Sequence, residues 1–144
     1  WKGQPIASLK EEYARELVYI GHASAVKDDL TPSENLAITC RLAGRPASAE
    51  ALRAALAQLG VPELPVRKLS QGQRRRAALA RLAVGAASAL WVLDEPLAAL
   101  DTAGVGLVQS LAGEHLARGG MVVLTTRQEA RIEAPSVTDI NLDR

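Results

Sequence analysis

The chain has 144 residues, a length that suits a single domain. Hydrophobic residues make up 48% of the sequence and aromatic residues only 3%, with no Phe, so a sizeable core can form and must be mainly aliphatic. The 17 basic and 16 acidic residues give a net charge of +1, which argues against nucleic-acid binding through bulk charge.

The cysteine content and the hydropathy pattern limit the setting of the protein. A single cysteine, Cys40, excludes an internal disulfide framework and indicates a reduced, cytoplasmic environment. Its neighbours in AITCRLAG are apolar, which predicts inert packing in the core. No segment reaches the roughly 18 apolar residues that a membrane-spanning helix needs, and the start has no signal-peptide pattern. Because the chain opens at Trp1 and not at Met, we expect a fragment.

The first twenty residues predict two strand segments separated by a charged stretch. Residues 1–6 are expected to finish a strand whose partner lies upstream. Residues 7–16 are charged and predicted to be exposed. The apolar, β-rich LVYIG at 17–21 predicts a buried strand that ends on Gly21.

Two short helices follow. Thr31 is the expected N-cap of a helix over 31–44, with Pro32 at the first helical position and Glu34 completing a capping box. A second helix is predicted over 48–59, where three leucines recur at helical spacing before Gly60, namely Leu52, Leu56 and Leu59. These helices, together with the next one, predict a helical subdomain over about 31–84.

The second half of the chain alternates helices and strands. Helices are predicted over about 73–84 and 102–117, and buried strands over 89–94 and 119–126. Strand, helix and strand in this order predict a right-handed βαβ unit in a parallel sheet. The segment VTDINL at 137–142 is a candidate edge strand. His115 is expected to be solvated at a helix end, and Met121 to lie in the core.

Two carboxylates, Asp94 and Glu95, follow the apolar run ALWVLD. In open α/β sheets ligands bind at the carboxyl ends of the strands, and two adjacent buried acids would be costly without a cation. One acid can face Mg²⁺ and the next can polarise a water for attack on a phosphate. Two solvated acids at a strand-to-loop transition are the alternative.

The stretch LSQGQ has the pattern of an anion-binding helix start. Ser70, Gly72 and the free backbone N–H groups form a donor-rich end that suits phosphate, and Gly72 permits close approach of the backbone. Three arginines follow at 74–76; taken singly, each is typical of a solvated helix face.

These motifs carry a family resemblance that covers the chain from Trp1 to about Gln128. LSQGQRRR resembles the signature motif of ABC-transporter ATPases, WVLDEPLAALD their Walker B strand and D-loop, and VVLTTRQ their switch region. WKGQPI, LVYIGHASAVKDDLTPSENL and GGMVVLTTRQ resemble more closely the ATP-binding subunits of cytochrome c maturation haem exporters. The resemblance implies an α/β, P-loop NTPase-like ATPase domain with a small helical subdomain and its N-terminal portion missing.

The resemblance also implies roles at the strand ends. Asp94 would hold Mg²⁺ through water, and Glu95 would be the general base for the attacking water. Arg127 stands where the family has a switch histidine that contacts the γ-phosphate, so it would either pair with phosphate or misplace the water. Sequence drift in a protein that no longer needs hydrolysis is the alternative. His22 would occupy the Q-loop position, with a loop histidine lacking any ligand as the alternative.

Further roles fall on the signature motif and the D-loop. Ser70, Gly72 and Gln73 would contact the γ-phosphate of ATP held by a second ATP-binding subunit in a head-to-tail dimer. Gln71 replaces the usual first glycine of the signature motif, a mild departure. Asp101 would be the D-loop aspartate that links the two sites of the dimer.

One family element is missing from these 144 residues. None of the four lysines completes a G-x-x-x-x-G-K-S/T loop, and in the family that loop lies upstream of Trp1. We therefore expect the chain alone not to bind ATP tightly.

The resemblance implies an ATP-hydrolysing subunit of an ABC transporter, in particular of the haem exporter, that uses ATP and Mg²⁺. It would lie peripherally on the cytoplasmic face of the bacterial inner membrane, bound to an integral membrane subunit and not to nucleic acid. Two alternatives remain. One is the ATPase of another ABC transporter, and the other is a truncated module that docks without hydrolysing ATP.

Overall fold

Three parallel strands form the sheet of this protein, as seen in a computed structural model that describes residues 1–85, 87–127 and 132–141. Strands β1 (Leu17–Ile20), β2 (Leu90–Asp94) and β3 (Met121–Thr125) lie side by side in chain order. All three were predicted within one or two residues, and their parallel pairing is confirmed. Their carboxyl ends therefore meet at one edge of the sheet, which is where Asp94 and Glu95 lie.

Five helices connect and flank the strands in the described part of the chain. They are α1 (Lys10–Glu16), α2 (Pro32–Leu42), α3 (Ala49–Gln58), α4 (Gln71–Val84) and α5 (Thr102–Ala117), with single 3₁₀ turns at Ile6–Ser8 and Val66–Lys68. The predicted helices over 31–44, 48–59 and 102–117 are confirmed. Helix α4 begins two residues earlier than predicted, because Ser70 acts as its N-cap.

Capping residues fix where the helical segment begins and ends. The Thr31 hydroxyl accepts a hydrogen bond from the Glu34 N–H at 3.3 Å, and the Glu34 carboxylate accepts one from the Thr31 N–H at 2.8 Å. This is the predicted capping box. Gly44 and Gly60 follow α2 and α3 with φ of +69° and +62°, a region that favours glycine.

The core lies between one face of the sheet and the helices α2, α3, α4 and α5. Val18 and Ile20 of β1 and Trp91 and Leu93 of β2 point into it, and each is at most 3% exposed. Cys40 is buried there, as predicted. The helices α2, α3 and α4 pack against one another, an arrangement that suits the predicted subdomain over 31–84, although its boundaries remain a prediction.

The opposite face of the sheet is largely uncovered. Tyr19, Val92 and Val123 lie side by side across the three strands, and the first and last of them are 53% and 51% exposed. The prediction of a buried strand over 119–126 is therefore wrong, since β3 is an edge strand with one face open among the described residues. Met121 is also no core residue, because it lies on this open face and is 47% exposed.

Three further expectations from the sequence are wrong. Residues 1–6 form no strand, because the Gln4 N–H bonds to the Trp1 carbonyl at 3.0 Å and closes a turn. Residues 137–141 are also not a strand, and Leu142 lies outside the described residues. His115 is 2% exposed, since its ring stacks on that of Trp91 with a centroid separation of 3.9 Å.

Candidate functional site

Asp94 and Glu95 are held by a threonine of the neighbouring strand. The Thr125 hydroxyl donates a hydrogen bond to Asp94 Oδ1 at 2.8 Å and accepts one from the Glu95 N–H at 3.0 Å. Glu95 has φ +49°, which is rare for a residue with a side chain and common at functional sites. This turn brings both carboxylates to the carboxyl edge of the sheet, where the sequence predicts them.

Arg127 lies beside Glu95. Its Nε is 3.3 Å from Glu95 Oε1, and its backbone N–H donates to Glu95 Oε2 at 3.4 Å. The arginine side chain is 92% exposed and that of the glutamate 22% exposed, so the ion pair itself adds little stability. The contact nevertheless places a permanent positive charge next to the predicted general base.

Arg75 fastens the ends of β1 and β2 to helix α4. Its side chain is buried and donates to the carbonyls of Gly21 and His22 at 2.9 and 3.2 Å and of Asp94 and Glu95 at 2.9 and 2.8 Å. Burial lowers the pKa of Arg75, and the nearby charges of Asp94 and Glu95 raise it again. The solvated helix face that a lone arginine suggests is therefore wrong for this residue.

The start of α4 leaves hydrogen-bond donors free. Ser70 Oγ accepts from the Gln73 N–H at 3.2 Å, and Gln73 Oε1 accepts from the Ser70 N–H at 2.9 Å. In this capping box both side chains act as hydrogen-bond acceptors. Within the described part of the chain, nothing accepts from the Ser70 hydroxyl, from the Gln73 amide NH₂ or from the N–H groups of Gln71 and Gly72, and donors are what an anion requires.

Asp101 lies opposite the start of α4, across a cleft. Its Oδ1 accepts from the Gly104 N–H at 2.9 Å and pairs with Arg76 of α4. These hydrogen bonds, first the one from Gly104 and then the one from Arg76, lower the pKa of Asp101. An open cleft of about 410 Å³ lies between the two walls; its lining includes Ser70, Gly72, Gln73, Arg76, Ala99 and Asp101.

Gly72 lies where the backbone at Ala99 approaches α4 closely. A Cβ atom at this position would lie 3.0 Å from the Ala99 carbonyl oxygen. Gln71, its neighbour, is the exposed first residue of the helix.

The predicted site residues thus fall into two groups. Asp94, Glu95, Arg127 and His22 lie at the carboxyl edge of the sheet, although the His22 side chain is exposed and the contact with Arg75 is made by its backbone carbonyl. Ser70, Gln71, Gly72, Gln73 and Asp101 gather at the start of α4. Gln128 of the predicted switch lies outside the described residues.

The carboxyl edge suits a metal only in part. Within residues 1–85, 87–127 and 132–141, no three His, Cys, Asp or Glu side chains converge as a metal cage. Mg²⁺ is commonly bound by one or two carboxylates together with water and substrate phosphates. Asp94 and Glu95 fit that donor set.

Sequence reasoning missed the two residues that hold the site in place, Arg75 and Thr125. The sequence does indicate that Arg75 is buried, because Arg75, Leu79 and Leu82 are spaced i, i+4 and i+7 and therefore share one helix face. Both leucines are fully buried. Thr125 carries no comparable signal, since its partner Asp94 is set by strand register.

Comparison with known proteins identifies the family. The sequence profile described as ABC transporter matches residues 1–98. The chain is 47% identical over 145 residues to the cytochrome c biogenesis ATP-binding export protein CcmA of Aromatoleum aromaticum, covering 98% of this chain and 68% of the relative. It is 49% identical over 132 residues to the protein of the same name from Nitrosomonas europaea, covering 90% and 62%. The chain thus spans about two thirds of the length of these relatives.

Solved structures agree on the fold. A putative ABC transporter ATP-binding protein from Pyrococcus furiosus superposes with a TM-score of 0.72 at 21% identity, covering 93% of this chain and 66% of that one. A dimeric ATP-binding cassette in a post-hydrolysis state with ADP and Pi gives a TM-score of 0.71 at 20% identity, covering 88% and 58%. In the described residues no helix is both long and apolar enough to cross a bilayer. The chain belongs to the ABC transporter family, in its group of cytochrome c biogenesis ATP-binding export proteins.

Proposed function

We propose that this chain is the ATP-hydrolysing subunit of an ABC transporter, the haem exporter that serves cytochrome c biogenesis. The names of the relatives support the assignment to cytochrome c biogenesis and to export. The observation that carries the enzymatic part is the pair of carboxylates that Thr125 holds at the carboxyl end of a central parallel strand.

In this proposal Glu95 is the general base. A carboxylate at the strand edge can accept a proton from water as the water attacks a phosphorus atom, and the fixed turn at Glu95 keeps the acid in position. Asp94 would hold Mg²⁺ through water, and the ion when bound supplies charge neutralisation for phosphate oxygens. The exposed His22 is assigned to the boundary between this edge and a partner, and Arg127 to the phosphate.

The second group of residues is assigned to the nucleotide of a partner subunit. Ser70, Gly72 and Gln73 offer donors at a helix start, an arrangement that suits the terminal phosphate of ATP. Gln71 lies beside them, and Asp101 would transmit contact between the two sites of a head-to-tail dimer. These 144 residues contain no phosphate-binding G-x-x-x-x-G-K-S/T loop, so the proposal gives them the carboxylate and signature parts of the site.

The assembly follows from the same assignment. We place the subunit peripherally at the cytoplasmic face of the bacterial inner membrane, bound to an integral membrane subunit through the helical subdomain. ATP binding would close the dimer and hydrolysis would open it. Nucleic acid is not a proposed partner.

Replacing the base tests the proposal. In the intact transporter subunit, Glu95→Gln keeps the size and the turn but removes proton acceptance, so we expect ATP turnover to fall by about 10²- to 10⁴-fold. Glu114→Gln is the matched control, because Glu114 is exposed on α5 and its ion pair with Arg118, at 3.8 Å, lies away from the site. Phosphate release measures both variants. Turnover in Glu95→Gln equal to that of the control would refute the role of Glu95.

A docking module that does not hydrolyse ATP is the second candidate. The observation that favours it is the 3.3 Å contact of Arg127 with Glu95, because the guanidinium occupies a carboxylate oxygen that a base needs to accept a proton. The same assay separates the two functions. An unmodified subunit that binds its membrane partner but releases no phosphate would favour the module.

A further inference from the structure

A second pocket lies beside the amino-terminal half of β1. It is open at the surface, holds about 30 Å³, and lies between β1, the end of α2 and the end of α4, where its lining includes Val18, Cys40, Arg45, Arg81, Val84 and Gly85. Arg81 is eleven residues along α4 from Ser70, about 16 Å at the rise of a helix. The pocket is therefore separate from the signature surface.

Two arginines face this pocket without an acidic partner. Arg45 Nη2 donates to the Leu17 carbonyl at 3.1 Å and Nη1 contacts Ser88 Oγ. Arg81 donates no hydrogen bond to any described residue, and neither arginine takes part in an ion pair within that part of the chain. Most other arginines near the signature do have such partners; Arg67, Arg74 and Arg76 each meet an aspartate.

The surroundings of Arg81 leave its charge only partly compensated. Burial lowers the pKa of Arg81 most strongly, Cys40 raises it, and the positive charge of Arg45 lowers it further. Burial also raises the pKa of the Cys40 thiol, although both arginines oppose this. The thiol is therefore protonated at neutral pH and cannot serve as the missing anion. The carboxyl ends of α2 and α4 supply a partial negative charge.

We propose that this pocket binds a single carboxylate group, held by the guanidinium groups of Arg81 and Arg45. A planar guanidinium matches a carboxylate with two parallel hydrogen bonds, and no described residue accepts a hydrogen bond from Arg81. The small volume accommodates a group of a few atoms and excludes a nucleotide or a haem. The carboxylate can come from a small free acid or from an acidic side chain of a protein partner.

Cys40 reports on this site because it lines the pocket and is the chain's one cysteine. The test measures the rate of Cys40 alkylation with and without about 20 mM formate. The ligand has three heavy atoms, so its best dissociation constant is about millimolar. We expect formate to slow alkylation at least about threefold. Sodium chloride at the same concentration keeps the ionic strength constant, because chloride is spherical and cannot form two parallel hydrogen bonds with a guanidinium.

Variants of Arg81 and Arg41 distinguish formate binding in the pocket from a general effect of formate on the protein. Each is judged by its own rate ratio with and without formate, because removing Arg81 also changes the reactivity of the thiol. Arg81→Gln should abolish the protection and Arg81→Lys should reduce it, whereas Arg41→Gln should keep it, since Arg41 is exposed on α2 beside Cys40. Neutral formamide, of the same size as formate, should give no protection.

The same alkylation measurement on the intact transporter in membranes distinguishes the two sources of the carboxylate. Protection of Cys40 there without formate, lost in Arg81→Gln, supports an acidic side chain of a partner. Full reactivity there together with protection by formate supports a free acid. The proposal is overturned if formate gives no protection to the unmodified protein, or equal protection to Arg81→Gln. The helix ends would then be sufficient to balance the two arginines.

Discussion

His115 is a buried, hydrogen-bonded imidazole that stacks on an indole. Its ring lies parallel to that of Trp91 at 3.9 Å, and its Nε2 is 3.3 Å from the carbonyl oxygen of Met121. Burial lowers the pKa of His115 below its ordinary value of 6.5, Arg118 acts in the same direction, and the hydrogen bonds to Met121 and Ala89 oppose it. The folded protein therefore holds the neutral form.

This arrangement predicts a loss of stability in mild acid. Below pH 6.5 the unfolded chain binds a proton that the folded chain resists, so the free energy of unfolding should fall as the pH falls toward the lower, folded pKa. Urea unfolding at pH 7.5 and at pH 5.5 measures the change. His115→Phe preserves a stacked ring but cannot titrate, so its stability should change less between these two pH values. An equal change in both proteins would contradict the assignment to His115.

His115 and Arg75 are buried for the same reason. Both are polar residues that the sequence alone places on a solvated surface, and both are buried because specific carbonyl oxygens meet them. Those carbonyls come from segments far away along the chain or across a turn. Helical periodicity identifies the face on which Arg75 lies, but it does not reveal which acceptors will be there.

Helix α5 contains three glycines, and two of them make a matched pair. Gly106 is exposed, and a Cβ atom there would meet nothing within 4 Å. Gly104 is buried, and its Cβ would lie 2.9 Å from Asp101 Oδ1 and 3.0 Å from Arg76 Nε. The same substitution should therefore have opposite effects at the two positions.

We expect Gly106→Ala to stabilise the protein by about 0.5–1 kcal/mol, because alanine loses less backbone entropy in a helix. Gly104→Ala should destabilise it by about 1–2 kcal/mol, because the Asp101 cap and Arg76 must move apart. Thermal unfolding of the two single variants, with the unmodified protein as reference, gives both values. Equal shifts of the same sign would show that helix propensity alone determines the change in stability at both positions.

At the scale of elements, local chemistry predicted most boundaries. The capping box at Thr31, the glycines after α2 and α3, and the continuous apolar run of β2 are all visible in the sequence and all lie where predicted. The failures occur where a segment lacks a covering partner. The run MVVLT is as apolar as a buried strand, yet β3 is half exposed, because burial depends on what lies across the sheet and not on the strand itself.

The order of the motifs along the chain predicted the family, but it did not predict which side chains meet in the folded molecule. The signature stretch, the strand-end carboxylates and the D-loop aspartate are short local patterns whose spacing indicates a family. The fold places them in two groups joined through α4. The ion pair between Glu95 and Arg127 was not predictable, because it depends on the register of β2 and β3.

The open face of the sheet governs how the 144-residue chain behaves on its own. Tyr19, Met121 and Val123 lie on that face and are 53%, 47% and 51% exposed. Large contiguous apolar patches mark surfaces that other protein covers, and uncovered ones promote association. An edge strand beside the patch adds unpaired backbone groups. We therefore expect the chain to self-associate at micromolar concentration.

A charge on this face should reduce the association at little cost to folding. Val123→Lys changes a half-exposed side chain on an edge strand, so the loss of stability should stay within about 0.5 kcal/mol. Leu124→Lys is the matched control on the same strand. Leu124 is partly buried against the core, so a charge there should cost more, about 1–3 kcal/mol. Sedimentation velocity over a range of concentrations, with urea unfolding alongside, distinguishes the two. If Val123→Lys associated as strongly as the unmodified chain, the contact would have to lie elsewhere than on the open face.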